Sequence, residues 1–193
     1  MPEDEYLLHD YRIDAGQGDY NKRELDDFIK QKPNKRILFW KFYLSLYNLS
    51  NPEKDNWFHN WLRRIGEPPV IYDEVLKNRS SEQLSLYMRN RGFYDAEVSD
   101  TAIFQRKRAE VEYRVIPNTP YTIRDINYFF QDATLSGLVL ADTTSSLVKR
   151  DDPFDVEVLQ EERERIESLL RNQGYYNFSR DFIYYDADSS LDS

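Results

Sequence analysis

Hydrophobic positions along the chain switch between two periods, and the switches mark the elements. Residues 6–13, YLLHDYRI, alternate as a strand, with Leu7, His9, Tyr11 and Ile13 on one face. After the turn DAGQGDY, a helical period starts. Asn21 stands as its cap, Glu24 takes the acid position of a capping box, Leu25, Phe28 and Ile29 form the stripe, and Pro33 ends it. An aromatic, helix-like run follows, RILFWKFYLSLYNLS, and then a short helix through NPEKDNWFHNWLRRIG, closed at Gly66. The segment EPPVIYDEVLKN reads as a proline-kinked connection with one helical turn. In SSEQLSLYMRNRG, Ser80 and Gln83 make a capping box, Leu84, Tyr87 and Met88 a stripe, and Gly92 a stop.

The period then returns to two. Residues 95–104 form a first strand, QRKR a turn, and residues 109–116 a second strand. There Ala109, Val111, Tyr113 and Val115 face one way and Glu110, Glu112 and Arg114 the other. PNTP, at 117–120, is a stiff break and the expected domain boundary. Beyond it lie a strand at 121–130, an irregular or short helical stretch to about residue 152, and a long helix ending at Gly174. Asp155 caps this helix, Glu157 sits in its first turn, Leu159, Ile166, Leu169 and Leu170 face inward, and Arg171 lies near its negative end. A last aromatic-rich strand covers 175–188.

Composition narrows the function. Of 193 residues, 40% are apolar and 15% aromatic, enough to fill a core. The net charge of −9 is the wrong sign for phosphate backbones, so nucleic acid is not an expected partner. There is no cysteine, which removes disulfides, thiolate metal sites and thiol nucleophiles. No apolar run is long enough for a membrane-spanning helix.

One phrase occurs twice. LYMRNRGFYDAEV and LLRNQGYYNFSRDF each join Arg-Asn, a glycine and two aromatics, and Gly92 and Gly174 lie 82 residues apart. At the same offset Tyr72-Asp73 falls on Phe154-Asp155, Glu82 on Glu164, Leu84 on Ile166 and Met88 on Leu170. A period this long fits tandem copies of a small α+β domain rather than a solenoid. Glycine supplies the left-handed residue that stops each helix, and the aromatics fold back on its last turn.

The pattern resembles the POTRA (polypeptide-transport-associated) domain. The second copy matches through YTIRDINY, DDPFD and NQGYYNF, with Asp151-Asp152 where the family usually has a Gly-Asp turn. The first matches through IGEPPVIYDEVL, LSLYMRNRGFYDAEV and AEVEYRVIPNTPYTI, with an aromatic insertion of about thirty residues. QKPNKRILFWKFYLSLYNL with WLRRIGEPPV looks like the lipid-anchored TamA-type branch of the BamA/TamA outer-membrane assembly superfamily. The implied fold class is α+β: two consecutive β-α-α-β-β modules, helices packed on one face of a small mixed sheet. The first module covers residues 1–118, with its insertion at about 35–70, and the second covers 119–193 and is incomplete, lacking its last, central strand.

The resemblance implies a non-enzymatic module without cofactors, in the periplasm and attached to the outer membrane through a C-terminal β-barrel of the full-length chain. Its implied partners are unfolded outer-membrane protein clients or a periplasmic or inner-membrane subunit. It also implies an edge strand after the second helix, with Val98, Ser99, Asp100, Thr101, Ala102 and Ile103 as the candidate site for a client to add itself as a strand. Incompleteness of the second module implies a gap filled by another chain, hence self-association, or by the tail. Trp40, Phe42, Tyr43, Trp57, Phe58 and Trp61 of the insertion either enlarge the first core or form a docking surface. The two histidines, His9 and His59, read as packing residues rather than metal ligands, and EERERIE at 161–167 as a solvated helix face. A secretion transporter that recognises one exported substrate, or a small α+β enzyme, are the alternatives.

Overall fold

A computed structural model describes residues 5–34, 57 and 67–188. The chain divides into two compact units, Met1–Arg89 with Asp95–Thr119, and Asn90–Tyr94 with Pro120–Ser193. The class is α+β.

The first unit is built on three strands, β1 (Leu7–Ala15), β2 (Glu97–Gln105) and β3 (Arg108–Ile116), in the order β1-β3-β2. β3 runs parallel to β1 and antiparallel to β2. Its alternation is the one the sequence predicts: Ala109, Val111, Tyr113 and Val115 are all at most 4% exposed. Its other face pairs with the outward residues of β1, where Arg12 donates to Glu112 at 2.7 Å. Arg106 and Lys107 both take positive φ and close a two-residue hairpin whose twist suits the strands. β1 departs from strict alternation. Its register shifts between Leu8 and Asp10, so Leu8, at 1% exposure, takes the core position expected of Leu7, while Tyr11 and Ile13 keep theirs.

The helix expected after Asn21 is only a five-residue 3-10 turn, Glu24–Phe28. Polar contacts from outside hold it short. The Tyr11 hydroxyl donates to Asp26, the Tyr87 hydroxyl donates to Glu24 at 2.9 Å, and Glu24 also accepts from the Asn21 amide. Leu25 and Ile29 are nevertheless buried as the stripe requires.

Helix α1 spans Glu74–Asn90 and starts earlier than the sequence predicts. Asp73, not Ser80, is its cap, accepting from Val75 and Leu76 N–H at 2.8 and 3.2 Å. Ser80 lies in its interior, fully buried, donating to the Leu76 carbonyl at 2.8 Å and accepting the Lys30 N–H at 3.0 Å. Leu84, Tyr87 and Met88 are buried as expected. At 3% exposure, Asn34 donates to the Pro68 carbonyl at 2.7 Å and accepts from Val70 N–H at 3.1 Å.

The second unit holds two helices, α2 (Ala133–Ala141), in the stretch expected to be irregular or short helical, and α3 (Val156–Asn172). Asp132 caps α2 and Asp155 caps α3. Val139, Ile166 and Leu170 form the core, with Leu135, Leu138, Tyr175, Phe178 and Ile183 packed on it. The strands expected at 121–130 and 175–188 are not formed. One isolated bridge, Thr122 to Pro153, is the only pairing among the described residues of that unit. A strand needs a ladder partner, and none of these residues supplies a central one. The tail is instead held by arginines of α3: Arg163 donates to the Arg180 carbonyl at 3.1 and 2.9 Å, and Arg171 to that of Phe178 at 3.0 Å.

EERERIE is only partly a solvated face. Glu162 is 3% exposed and accepts from Ser146 Oγ, Leu147 N–H and both Nε and Nη2 of Arg165 at 2.8–3.0 Å. Burial alone would push its carboxyl up, but these donors outweigh it and hold it below the ordinary range.

Both repeat glycines have positive φ, +87° at Gly92 and +97° at Gly174. At the second, Gly174 N–H donates to the Arg171 carbonyl and Tyr175 N–H to that of Leu170, each at 3.1 Å, which is a Schellman motif. A Cβ at Gly174 would meet nothing within 4 Å, whereas one at Gly92 would lie 2.9 Å from the Phe154 carbonyl oxygen.

Two stability outcomes follow. Ser80→Ala strips the Lys30 N–H of its acceptor in a part-buried bond and should cost about 1 kcal/mol in urea unfolding; an unchanged midpoint would show that this bond contributes nothing. Gly174→Ala should cost roughly 1–2 kcal/mol for its left-handed backbone, and Gly92→Ala clearly more, because Phe154 must also move; equal losses would contradict the difference in packing.

Candidate functional site

The predicted edge is present. β2 bonds only to β3, so among the described residues its outer edge has no strand beside it. The opposite edge is less open, since Leu8 N–H donates to the Val70 carbonyl and Tyr72 N–H to that of Tyr6, both at 2.8 Å. Along β2, Ser99, Thr101 and Ile103 are exposed, and Val98, Asp100 and Ala102 are half-buried. The six predicted residues therefore lie together on one strand, three on each face. Of the predicted docking aromatics, Trp57 is helical and 80% exposed. Trp40, Phe42, Tyr43, Phe58 and Trp61 lie outside the described residues.

Asp100 fixes how this edge can be used. It points toward α1, where Lys77 forms an ion pair with it and the Ser81 hydroxyl donates to it at 2.6 Å. Burial pushes the Asp100 carboxyl up, but the Lys77 and Ser81 donors hold it below its ordinary value. Burial likewise pulls the Lys77 ammonium down, and Asp100 more than restores it. An inward charge on an edge strand ordinarily discourages further pairing. Here the charge is already matched within the unit, so a strand laid along β2 need not desolvate it alone.

A second arrangement was not anticipated. In the first unit Tyr6–Leu8 and Val70–Tyr72 form a short antiparallel clasp of three residues a side: Tyr72 N–H donates to the Tyr6 carbonyl and Leu8 N–H to that of Val70, around a bridge from Leu7 to Ile71. In the second unit Phe154 N–H donates to the Tyr121 carbonyl at 2.8 Å and Ile123 N–H to that of Asp152 at 2.9 Å, around the bridge from Thr122 to Pro153. The two clasps share this pair of bonds, the second adding Asp151 N–H to the Ile123 carbonyl at 2.7 Å where the first has Pro69 and no N–H to donate, and each is followed directly by the aspartate that caps a long helix. The sequence offset of 82 aligns Tyr72-Asp73 with Phe154-Asp155 but cannot align Tyr6 with Tyr121, which are 115 residues apart. The inserted residues account for the difference.

Each clasp also carries an aromatic ring. In the first, Phe104 lies 4.6 Å from the Tyr6 ring and 5.1 Å from that of Tyr72. In the second, Tyr94 lies 5.3 Å from Tyr121 and 6.2 Å from Phe154. Elsewhere in the second unit Phe129, Tyr176 and Tyr184 are 92%, 79% and 81% exposed. Among the described residues no cluster of three or more His, Asp or Glu could hold a metal ion, and no helix is long and apolar enough to cross a membrane. The one buried carboxylate described, Glu162, is held ionised by its donors and is not poised as an acid.

No family model matches the chain, and no curated protein matches it. Among solved structures it is similar to the crystal structure of BamA POTRA3-5 from Haemophilus influenzae, at 14% identity and a TM-score of 0.40. That similarity covers 88% of this chain and 51% of the other, so the chain spans about half the length of that structure.

The Asp100 ion pair gives a pH dependence with a definite sign. Because its folded carboxyl sits below the ordinary 3.8, the unfolded chain takes up the proton first as pH falls. The stabilisation is complete above that value and is lost as pH drops through the folded one. The protection of β2 amides relative to their intrinsic exchange rate should therefore fall on acidification, and Asp100→Asn should flatten that response; an identical acid profile in the variant would remove Asp100 from the account.

Proposed function

We propose that the chain is a pair of POTRA-like modules from an outer-membrane protein assembly factor. In this reading it works in the periplasm and binds unfolded outer-membrane protein clients or partner subunits, partly by strand addition along β2. The observation that carries the reading is the strand order of the first unit. Its last strand, β3, is central and parallel to the first strand, and the strand after the helix is left at an edge, which is the arrangement the sequence resemblance implies. The repeated clasp, capped helix and glycine stop support division into modules near residues 1–118 and 119–193. Attachment to a C-terminal barrel, and a lipid anchor of the TamA-like kind, belong to the same proposal.

Strand addition relies on main-chain bonding, which tolerates different client sequences, while alternate side chains add modest preference. Thr101 and Ser99 offer a small, uncharged outer face to such a guest, and no proline interrupts β2. Titration of the labelled protein with ten-residue peptides of alternating apolar and polar residues should shift the amides of Glu97–Gln105. Scrambled peptides that keep the alternation should bind about equally and weakly. Tight binding of a single sequence would favour the secretion-transporter alternative, and peptides that leave β2 unperturbed would refute strand addition there.

A further inference from the structure

Charge is spread unevenly along the β2 edge. At its start stand Asp95 and Glu97, both exposed. In its middle Asp100 is matched by Lys77 and Ser81, and its other residues from Val98 to Ile103 are uncharged. At its end the chain turns through Arg106 and Lys107. Lys107 lies 5.6 Å over the Tyr6 ring. Among the described residues the side chains of Asp95, Glu97 and Arg106 make no ion pair. The neighbouring strand leaves this polarity in place. On the outer face of β3, Arg108 and Glu110 offset each other, and Glu112 and Arg114 are paired with Arg12 and Asp14 of β1.

The turn is a costly place for Arg106. Its φ of 47°, like the 60° of Lys107, is left-handed, where Asn and Gly fit readily and a long side chain is strained. A strained backbone that carries a cation points to a use for that charge. Length separates the two ends electrically. The nine residues of β2 span roughly 27 Å, more than three times the Debye length of about 8 Å at physiological salt. A strand added at the edge lies only about 4.8 Å away. Each end therefore acts on the guest residue beside it and not on the far end.

We propose that β2 sets the direction of an added strand by charge. The inference rests on the reading of β2 as a site of strand addition. The guest end beside Asp95 and Glu97 is basic, and the end beside Arg106 is acidic. An antiparallel guest, with the pairing that β2 already has with β3, is then acidic at its N-terminal end and basic at its C-terminal end. Its middle is free to vary, because the one charge in the middle of the edge is already matched.

Three ten-residue peptides, acetylated and amidated to remove their terminal charges, test this in amide-shift titrations of the labelled protein. They share one alternating middle. One has neutral ends, one has two Glu first and two Lys last, and one has the reverse. The Glu-first peptide should bind about fivefold tighter than its reverse. A nitroxide on its N-terminal residue should broaden Gln105 and Arg106 rather than Glu97. Arg106→Asn, which suits the left-handed turn, and Glu97→Gln should each reduce the preference. The double variant should abolish it, as should about 1 M salt, with the neutral peptide still bound. Equal binding of the two charged peptides, a nitroxide effect at Glu97, or a preference that the double variant or salt leaves intact overturns the inference while strand addition stands. A neutral peptide that leaves Glu97–Gln105 unperturbed removes strand addition itself and this inference with it. Equal peptide binding together with Arg106-dependent capture on phosphatidylglycerol vesicles assigns the cation to a lipid surface instead.

Discussion

β3 offers hydrogen-bonding groups on both of its edges, and the first unit depends on that. A strand is not a local conformation that a residue run can hold by itself. It persists because another backbone takes its N–H and C=O groups. β3 gives β1 and β2 that partner and at the same time presents four consecutive inward side chains to α1, so one strand sets both the ladder and the core. The second unit illustrates the converse. It has the capped helix, the glycine stop and aromatic-rich segments on both sides, but no described residue plays the part of β3. Its flanking segments form no ladder, and the one after α3, with a 3-10 turn at Arg180–Phe182, is held by arginine side chains to carbonyls and by rings packed on the core of Ile166 and Leu170.

This contrast explains which parts of the fold were legible in the sequence. Helix ends and the β2–β3 hairpin were legible because their determinants are local: Asp155, Gly92, Gly174 and the alternation from Ala109 to Val115 act on their own neighbours. Elements whose existence depends on distant partners were misread. Residues 121–130 have strand propensity without a strand to join. The turn at Glu24 has helical periodicity, but hydroxyls of Tyr11 and Tyr87, from β1 and α1, fix its carboxylates in place. Ser80 fits a capping box on paper, yet the helix begins earlier at Asp73, and the hydroxyl serves the Lys30 backbone instead.

The candidate site divides the same way. That β2 lies at an edge follows from strand order, and the alternation of its side chains follows from the pleat, so the faces of Ser99 and Asp100 could be assigned in advance. The partnership of Asp100 with Lys77 and Ser81 could not, because it requires α1 to be laid across the sheet in a particular register. The clasps were half visible. Tyr72-Asp73 and Phe154-Asp155 align at the offset of the repeat, but Tyr6 and Tyr121 are displaced from it by the insertion, which hides their equivalence from any constant-period comparison.

That insertion has a stem. The buried Asn34 amide joins its two sides by holding Pro68 and Val70, while Gln31 donates to the Ile71 carbonyl at 2.6 Å and accepts the Asp73 N–H at 3.1 Å. With the ends fixed by contacts of their own, the entropy of closing the excursion grows only slowly with its length, about 0.6 kcal/mol per doubling. Asn34 and Gln31 thereby act as a socket. The length of what runs between these tied ends can therefore change with little effect on the folding free energy of the module that holds them.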